Sequence, residues 1–114
     1  MSPGEVFLGQ FPFGDVAGMK LRPALLLTGK VGSVPEVLVA YISSVKPSHI
    51  LASDLELDPS KPEFKSTNLK VISTLRLHKL ATIHASSLVS RLGFLDTATY
   101  AVVHARLKVL LSLQ

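Results

Sequence analysis

The sequence predicts a small, mainly β domain, barrel-like, with one helix at its C-terminal end. Three observations carry this. Short apolar runs recur up to Leu95, several of them alternating in polarity. Gly and Pro separate those runs. From Thr97 to Leu113 neither Gly nor Pro occurs, and Tyr100, Val103, Leu107 and Leu110 recur at helical spacing.

Taken in order, Glu5 to Phe11 alternates, with Val6, Leu8 and Gln10 on one side and Phe7, Gly9 and Phe11 on the other, as a strand does. Residues 12–18 hold two Gly and a Pro and form a loop. Pro23 to Thr28 reads as a strand whose first residue is a tolerated Pro. Gly29 to Pro35 is a turn, and Glu36 to Ser44 is the strongest strand, with Val37, Val39, Tyr41 and Ile42. Ile50 to Leu57 is expected to end as an edge strand, and residues 58–62 form a second loop around two Pro. Lys70 to Leu77, Leu80 to Ile83 and Arg91 to Leu95 are three further strand candidates. Several short strands of this kind suit a small barrel. For the helix, Asp96 is the expected N-cap and Lys108 sits where the C-terminal dipole favours a cation. Val102, Val109 and Leu111 widen its apolar face beyond what one barrel covers, which points to an oligomer.

Size and composition bound the class. The 114 residues fit one domain, 1–114, and a hydrophobic share of 47% is too high for a disordered tail. Without Cys, disulfides, thiolate zinc sites and a Cys nucleophile are excluded. The opening Met-Ser-Pro-Gly-Glu has neither a basic n-region nor an apolar h-region, so no signal peptide is expected and the cytoplasm is the expected location. No apolar stretch approaches the ~20 residues that a membrane helix needs, so no membrane partner is expected. The net charge is +4, and it is unevenly placed. Beyond Phe64 stand Lys65, Lys70, Arg76, Lys79, Arg91, Arg106 and Lys108 against the single carboxylate Asp96. Such a half suits a polyanion, although on charge alone a solvated basic surface is the simpler account.

No familiar catalytic or metal motif is present. Gly9 and Gly14 are spaced as in a phosphate loop, but Asp15-Val follows where Lys-Ser/Thr is needed. His49, His78, His84 and His104 show no metal-ligand spacing. Neither a metal site nor a cofactor is expected, and any chemistry must rest on Arg, Ser, Thr and Lys.

Four blocks, in order, carry a resemblance that spans nearly the whole chain. Gly4-Glu-Val-Phe-Leu-Gly-Gln-Phe-Pro-Phe13 is similar to G-D-I-V-x-x-x-F-P-F, and Lys20-Leu-Arg-Pro-Ala-Leu-Leu-Leu27 to K-x-R-P-A-L-V-L. Val37 to Ser44 is similar to a strand that ends I-T-S or I-S-S, and Ser66 to Ile83 to T-G-L-K-x-x-S-V-x-R-x-x-K-L-A-T. These are the marks of the MazF/PemK family of bacterial toxins, which the chain resembles. The resemblance implies an SH3-like β-barrel with a C-terminal helix, a homodimer, and a metal-independent endoribonuclease that cleaves single-stranded RNA and is restrained by a cognate antitoxin protein. It also leaves open a relative that binds RNA or antitoxin without cutting. A gyrase-poisoning toxin of the same fold fits less well, since that branch relies on a C-terminal Trp-Gly-Ile tail and this chain has no Trp.

Carried over by position, Arg22 matches the functional Arg of the R-P block and Ser43 the hydroxyl that closes the central strand. These two are the expected catalytic pair. Lys20, Phe13, Ser44, Lys70, Arg76 and Lys79 are the expected RNA-binding residues, with Phe13 offering an aromatic face to a base. The bland alternative for Arg22 is a surface ion pair with Asp15 or Glu36, and for Ser43 an ordinary strand-end hydroxyl. Four positions depart from the pattern: Glu5 for Asp, Ser43 for Thr, Ile72 for a common Pro, and Asn68 for Gly. Asn is among the residues that tolerate a left-handed backbone, so the turn at Asn68 is expected to survive.

Overall fold

Alternation decides the architecture. In the computed structural model, which describes residues 1–11 and 21–113, the extended segments are β1 (Glu5–Gly9), β2 (Arg22–Leu26), β3 (Glu36–Ser43), β4 (Asp54–Leu57), β5 (Ser73–His84) and β6 (Leu88–Phe94), followed by the helix α1 (Thr97–Leu110). They form one antiparallel sheet in the order β4-β5-β3-β2-β1-β6. The residues of β2 and β3 are buried on both sides, and their neighbours alternate between two cores. Leu25, Ala40 and Ile42 join Val6, Leu57, Leu75, Leu77, Leu95 and Val103 on the side that α1 covers. Ala24, Leu26, Val37 and Val39 join Ile83 and Leu88 on the other, with Phe7, Phe11 and Ala81 packed against them.

Where the sequence reads as two strands, Lys70–Leu77 and Leu80–Ile83, the chain forms the single strand β5. The reason is a bulge. Ala40 pairs with Leu80 and the next residue, Tyr41, with Arg76, so Leu77, His78 and Lys79 are extra against β3. The bulge interrupts the polarity pattern without ending the strand, and it bends the sheet. β4 is an edge strand, as expected, although only its last four residues pair.

The sheet does not close into a complete barrel. A 3-10 segment, Pro62–Thr67, lies against the edge strand β6 and is tied to it by side-chain bonds. Ser66 Oγ donates to the Phe94 carbonyl (2.7 Å) and Asn68 Nδ2 to the Leu92 carbonyl (2.7 Å). A side chain at Gly93 would collide with this segment, because a Cβ there would stand 2.1 Å from the Ser66 carbonyl oxygen. Asn68 ends the segment at φ 56° and ψ 23°, the left-handed conformation anticipated for it.

Asp96 caps α1, its carboxylate accepting from the Thr99 N–H at 2.7 Å. The hydrogen bonds from Thr99 hold this carboxyl below the ordinary range. The helix buries Thr99 and Val103 against the sheet and half-buries Tyr100 and Leu107, and burial pushes the Tyr100 phenol up. Leu110, expected on the same stripe, is instead exposed, because Leu107 is the last helix residue packed against the core; Val102, Val109 and Leu111 are exposed too. Among the described residues, no helix is long and apolar enough to cross a membrane.

Candidate RNA-cleaving face

Strand register brings the two expected catalytic residues together. β2 and β3 pair as Leu26 with Val39, Leu25 with Ala40 and Ala24 with Tyr41. The pairing ends there; extrapolated by two residues, it puts Arg22 level with Ser43 on one face of the sheet. On the far side of Ser43, β5 contributes Thr74, and β4 then contributes Glu56 opposite Thr74. On the near side, β1 places Gly9 opposite Arg22. A Cβ on Gly9 would strike the Ser87 carbonyl oxygen at 2.6 Å and the Phe11 ring at 2.9 Å, so no side chain grows beside the guanidinium from that strand.

The row of residues behind this one is differently balanced. Tyr41 pairs with Arg76, which pairs with Asp54. Arg76 Nε donates to Asp54 Oδ1 at 2.8 Å, and the Asp54 side chain is only 1% exposed. Its other oxygen accepts from the Leu51 N–H at 2.8 Å, and the Asp54 carbonyl accepts from Arg106 of α1. A carboxylate so deeply buried is tolerated because its bonds are satisfied. Lys79, on the bulge, holds its ammonium 5.5 Å above the Tyr41 ring, a cation–π contact.

The expected site residues therefore divide. Arg22 and Ser43 share a row, and Arg76 and Lys79 flank Tyr41 one row behind them. Arg76 spends one donor on Asp54. Ser44 is exposed just past the end of β3. Lys70 is exposed in the loop before β5, and among the described residues no contact ties it to the row. Lys20 and Phe13 lie outside the described residues.

Among the described residues no carboxylate pairs with Arg22. Glu36 stands at the opposite end of β3 from Ser43, ~23 Å along the strand, where its backbone lies opposite His84 of β5. The alternative partner, Asp15, lies outside the described residues. Ser43 has a local engagement: its hydroxyl donates to the Val45 carbonyl and accepts from the Val45 N–H, both at 3.1 Å. A hydroxyl has one proton, so donation to a phosphate requires that the bond to the Val45 carbonyl open.

Sequence reading missed Thr74, Glu56 and Asp54 as members of this face. The available signal was the strand register: Thr74 lies across from Ser43 and Asp54 from Arg76, both already singled out, and Glu56 lies across from Thr74. Among the described residues, no three His, Asp or Glu side chains gather as a metal site would require.

The chain belongs to the family described as the PemK-like, MazF-like toxins of type II toxin–antitoxin systems, whose model matches residues 2–111. Among solved structures, it is similar to a Mycobacterium tuberculosis toxin, MazF-mt6, at 20% identity and a TM-score of 0.73, covering 96% of this chain and 98% of that one. An endoribonuclease in complex with its cognate antitoxin, from a mycobacterial species, matches at 15% identity and a TM-score of 0.72, covering 100% of this chain and 97% of that one. These likenesses establish the shared fold. No curated protein sequence matches the chain.

Proposed function

We propose that this toxin is a metal-independent endoribonuclease, active in the cytoplasm, that cleaves single-stranded RNA at specific sequences. Its cognate antitoxin restrains it by covering the same face. The observation that supports the reading is the β2–β3 register, which, extended two residues past the Ala24–Tyr41 pair, puts Arg22 level with Ser43. Of the two similar solved structures, one is a toxin of this fold and the other an endoribonuclease in complex with its cognate antitoxin.

In this mechanism the RNA supplies its own nucleophile. The 2′-oxygen attacks the adjacent phosphorus and gives up its proton, the bond from phosphorus to the 5′-oxygen breaks, and that oxygen takes up a proton. The products are a cyclic phosphate and a 5′-hydroxyl, and DNA, which lacks the 2′-hydroxyl, is spared. Negative charge builds on the phosphorane oxygens. The Arg22 guanidinium stays protonated and can meet two of those oxygens at once, so its role is charge stabilisation and not proton abstraction. A preorganised donor of this kind lowers a barrier by roughly 3–4 kcal/mol. Ser43 adds a hydroxyl donor once its bond to Val45 opens. The test is cleavage of a mixed single-stranded RNA pool by the purified protein in EDTA, with the Arg22→Ala protein alongside.

We also infer a homodimer, formed through the face that α1 leaves uncovered. An apolar groove of about 730 Å³ lies between Leu51 and Ala52 on one side and Val102, Val109 and Leu110 of the helix on the other. Val109 is 80% exposed, an unusual state for an aliphatic side chain within an apolar patch. Val109→Asp is expected to shift the protein from dimer to monomer in sedimentation velocity. A dimer that survives it would place the interface elsewhere.

A further inference from the structure

The Arg22 row ends in a carboxylate, which is out of place on a face meant for phosphates. Glu56 lies opposite Thr74, and Thr74 lies opposite Ser43, so all share one face, with Glu56 two strands or ~10 Å beyond Ser43. The neighbouring carboxylate of β4, Asp54, is buried and neutralised by Arg76. Glu56 is exposed and, among the described residues, makes no ion pair or hydrogen bond. Thr74 is half-buried, and no described residue bonds its hydroxyl. No buried side-chain polar atom among the described residues lacks a partner, so this hydroxyl reaches solvent.

A carboxylate repels the RNA backbone but accepts hydrogen bonds from bases. In single-stranded RNA the Watson–Crick edge is open to such contacts. Guanine offers two parallel donors there, an N–H and an amino group, which match the two oxygens of a carboxylate. Cytosine and adenine offer one amino group each. We propose that Glu56, with Thr74 beside it, selects the base adjoining the scissile phosphate, favouring a base that donates from its Watson–Crick edge, guanine foremost. The assignment rests on the endoribonuclease reading for its consequence, but the base contact itself is a property of binding. An exposed acid on an edge strand also discourages strand pairing between molecules. That role would leave base preference untouched.

The experiment uses one randomised single-stranded RNA pool and two readouts, with wild type, Glu56→Gln, Glu56→Asp and Thr74→Ala. Sequencing of cleaved ends gives the preference at cleavage, and sequencing of RNA retained by the protein gives the preference at binding. Glu56 is exposed, so its variants are expected to fold, and matching urea midpoints check this. The expected result is that Glu56→Gln lowers the preference for guanine at one position roughly tenfold, as loss of a two-bond base contact does, while other positions of the motif keep theirs. Thr74→Ala weakens the same position less, and Glu56→Asp retains part of it. An unchanged motif for Glu56→Gln in both readouts overturns the proposal, as does an equal loss across all sequences. If wild type leaves the pool intact, the endoribonuclease reading falls, and the bound RNA alone decides whether Glu56 reads a base.

Discussion

Replacing Asp54 by Ala should unfold this protein far more easily than its place on a short edge strand suggests. Asp54 ties three parts of the fold: its carboxylate holds Arg76 of β5 and the Leu51 N–H at the entry to β4, while its backbone carbonyl, which alanine keeps, accepts from Arg106 of α1. The alanine variant leaves the Arg76 guanidinium, 16% exposed, without its counter-ion and the Leu51 N–H without an acceptor. Breaking a buried pair from one side costs about 3–5 kcal/mol. The residual exposure of Arg76 lets water recover part of that, which puts the expected loss near ~3 kcal/mol. With a urea m-value of ~1.5 kcal/mol/M, the midpoint should fall by ~2 M. Removing both charges together, as Asp54→Leu with Arg76→Met, should restore most of the loss, because no charge is then buried alone. Urea unfolding followed by circular dichroism measures all the midpoints. A single Asp54→Ala variant within ~0.5 kcal/mol of wild type, the size of an ordinary surface change, would refute the reasoning. So would a double variant no better than the single one.

Two further stability tests address the closure of the sheet and the helix cap. Gly93→Ala should destabilise strongly, since its Cβ meets backbone and not a movable side chain, with contacts of 2.1 Å to Ser66 and 2.8 Å to Thr67. A wild-type melting temperature for that variant would show that the 3-10 segment does not press on β6. Asp96 has a folded pKa below its ordinary 3.8, so its cap contributes stability above that pH and loses it as the pH falls through the folded value. Asp96→Asn, which caps without titrating, should therefore lose less stability than wild type between pH 5 and pH 2, and parallel melting curves over that range would argue against the cap.

Much of this fold was legible because its strands alternate. Val6 of β1, Ala24 to Leu26 of β2 and Val37 to Ile42 of β3 announce two buried faces, and Asp96 announces the helix start. What alternation could not convey was the bulge at Leu77 to Lys79, which displaces polarity by an odd number of residues and so reads as a break. Nor could it convey that a 3-10 segment would pack against β6, because that contact depends on a bare backbone at Gly93 and on two side-chain bonds distant in sequence. For the site, Arg22 and Ser43 stood out through blocks that resemble a family. Their adjacency came from register, as did the presence of Thr74 and Glu56. Arg76 read as a free cation because its partner, Asp54, lies 22 positions away along the chain and meets it only when β4 pairs with β5.

The claim on which the functional account depends is that the Arg22 guanidinium stabilises a breaking RNA phosphodiester. Single-turnover cleavage of single-stranded RNA in EDTA by wild type, Arg22→Ala and Arg22→Lys tests it most directly. The account predicts that Arg22→Ala lowers the rate by at least a hundredfold, the loss typical of one preorganised donor, with an unchanged urea midpoint. Arg22→Lys should recover only a small part, since an ammonium cannot reproduce the two-bond fork. Cleavage by Arg22→Ala at the wild-type rate would contradict it.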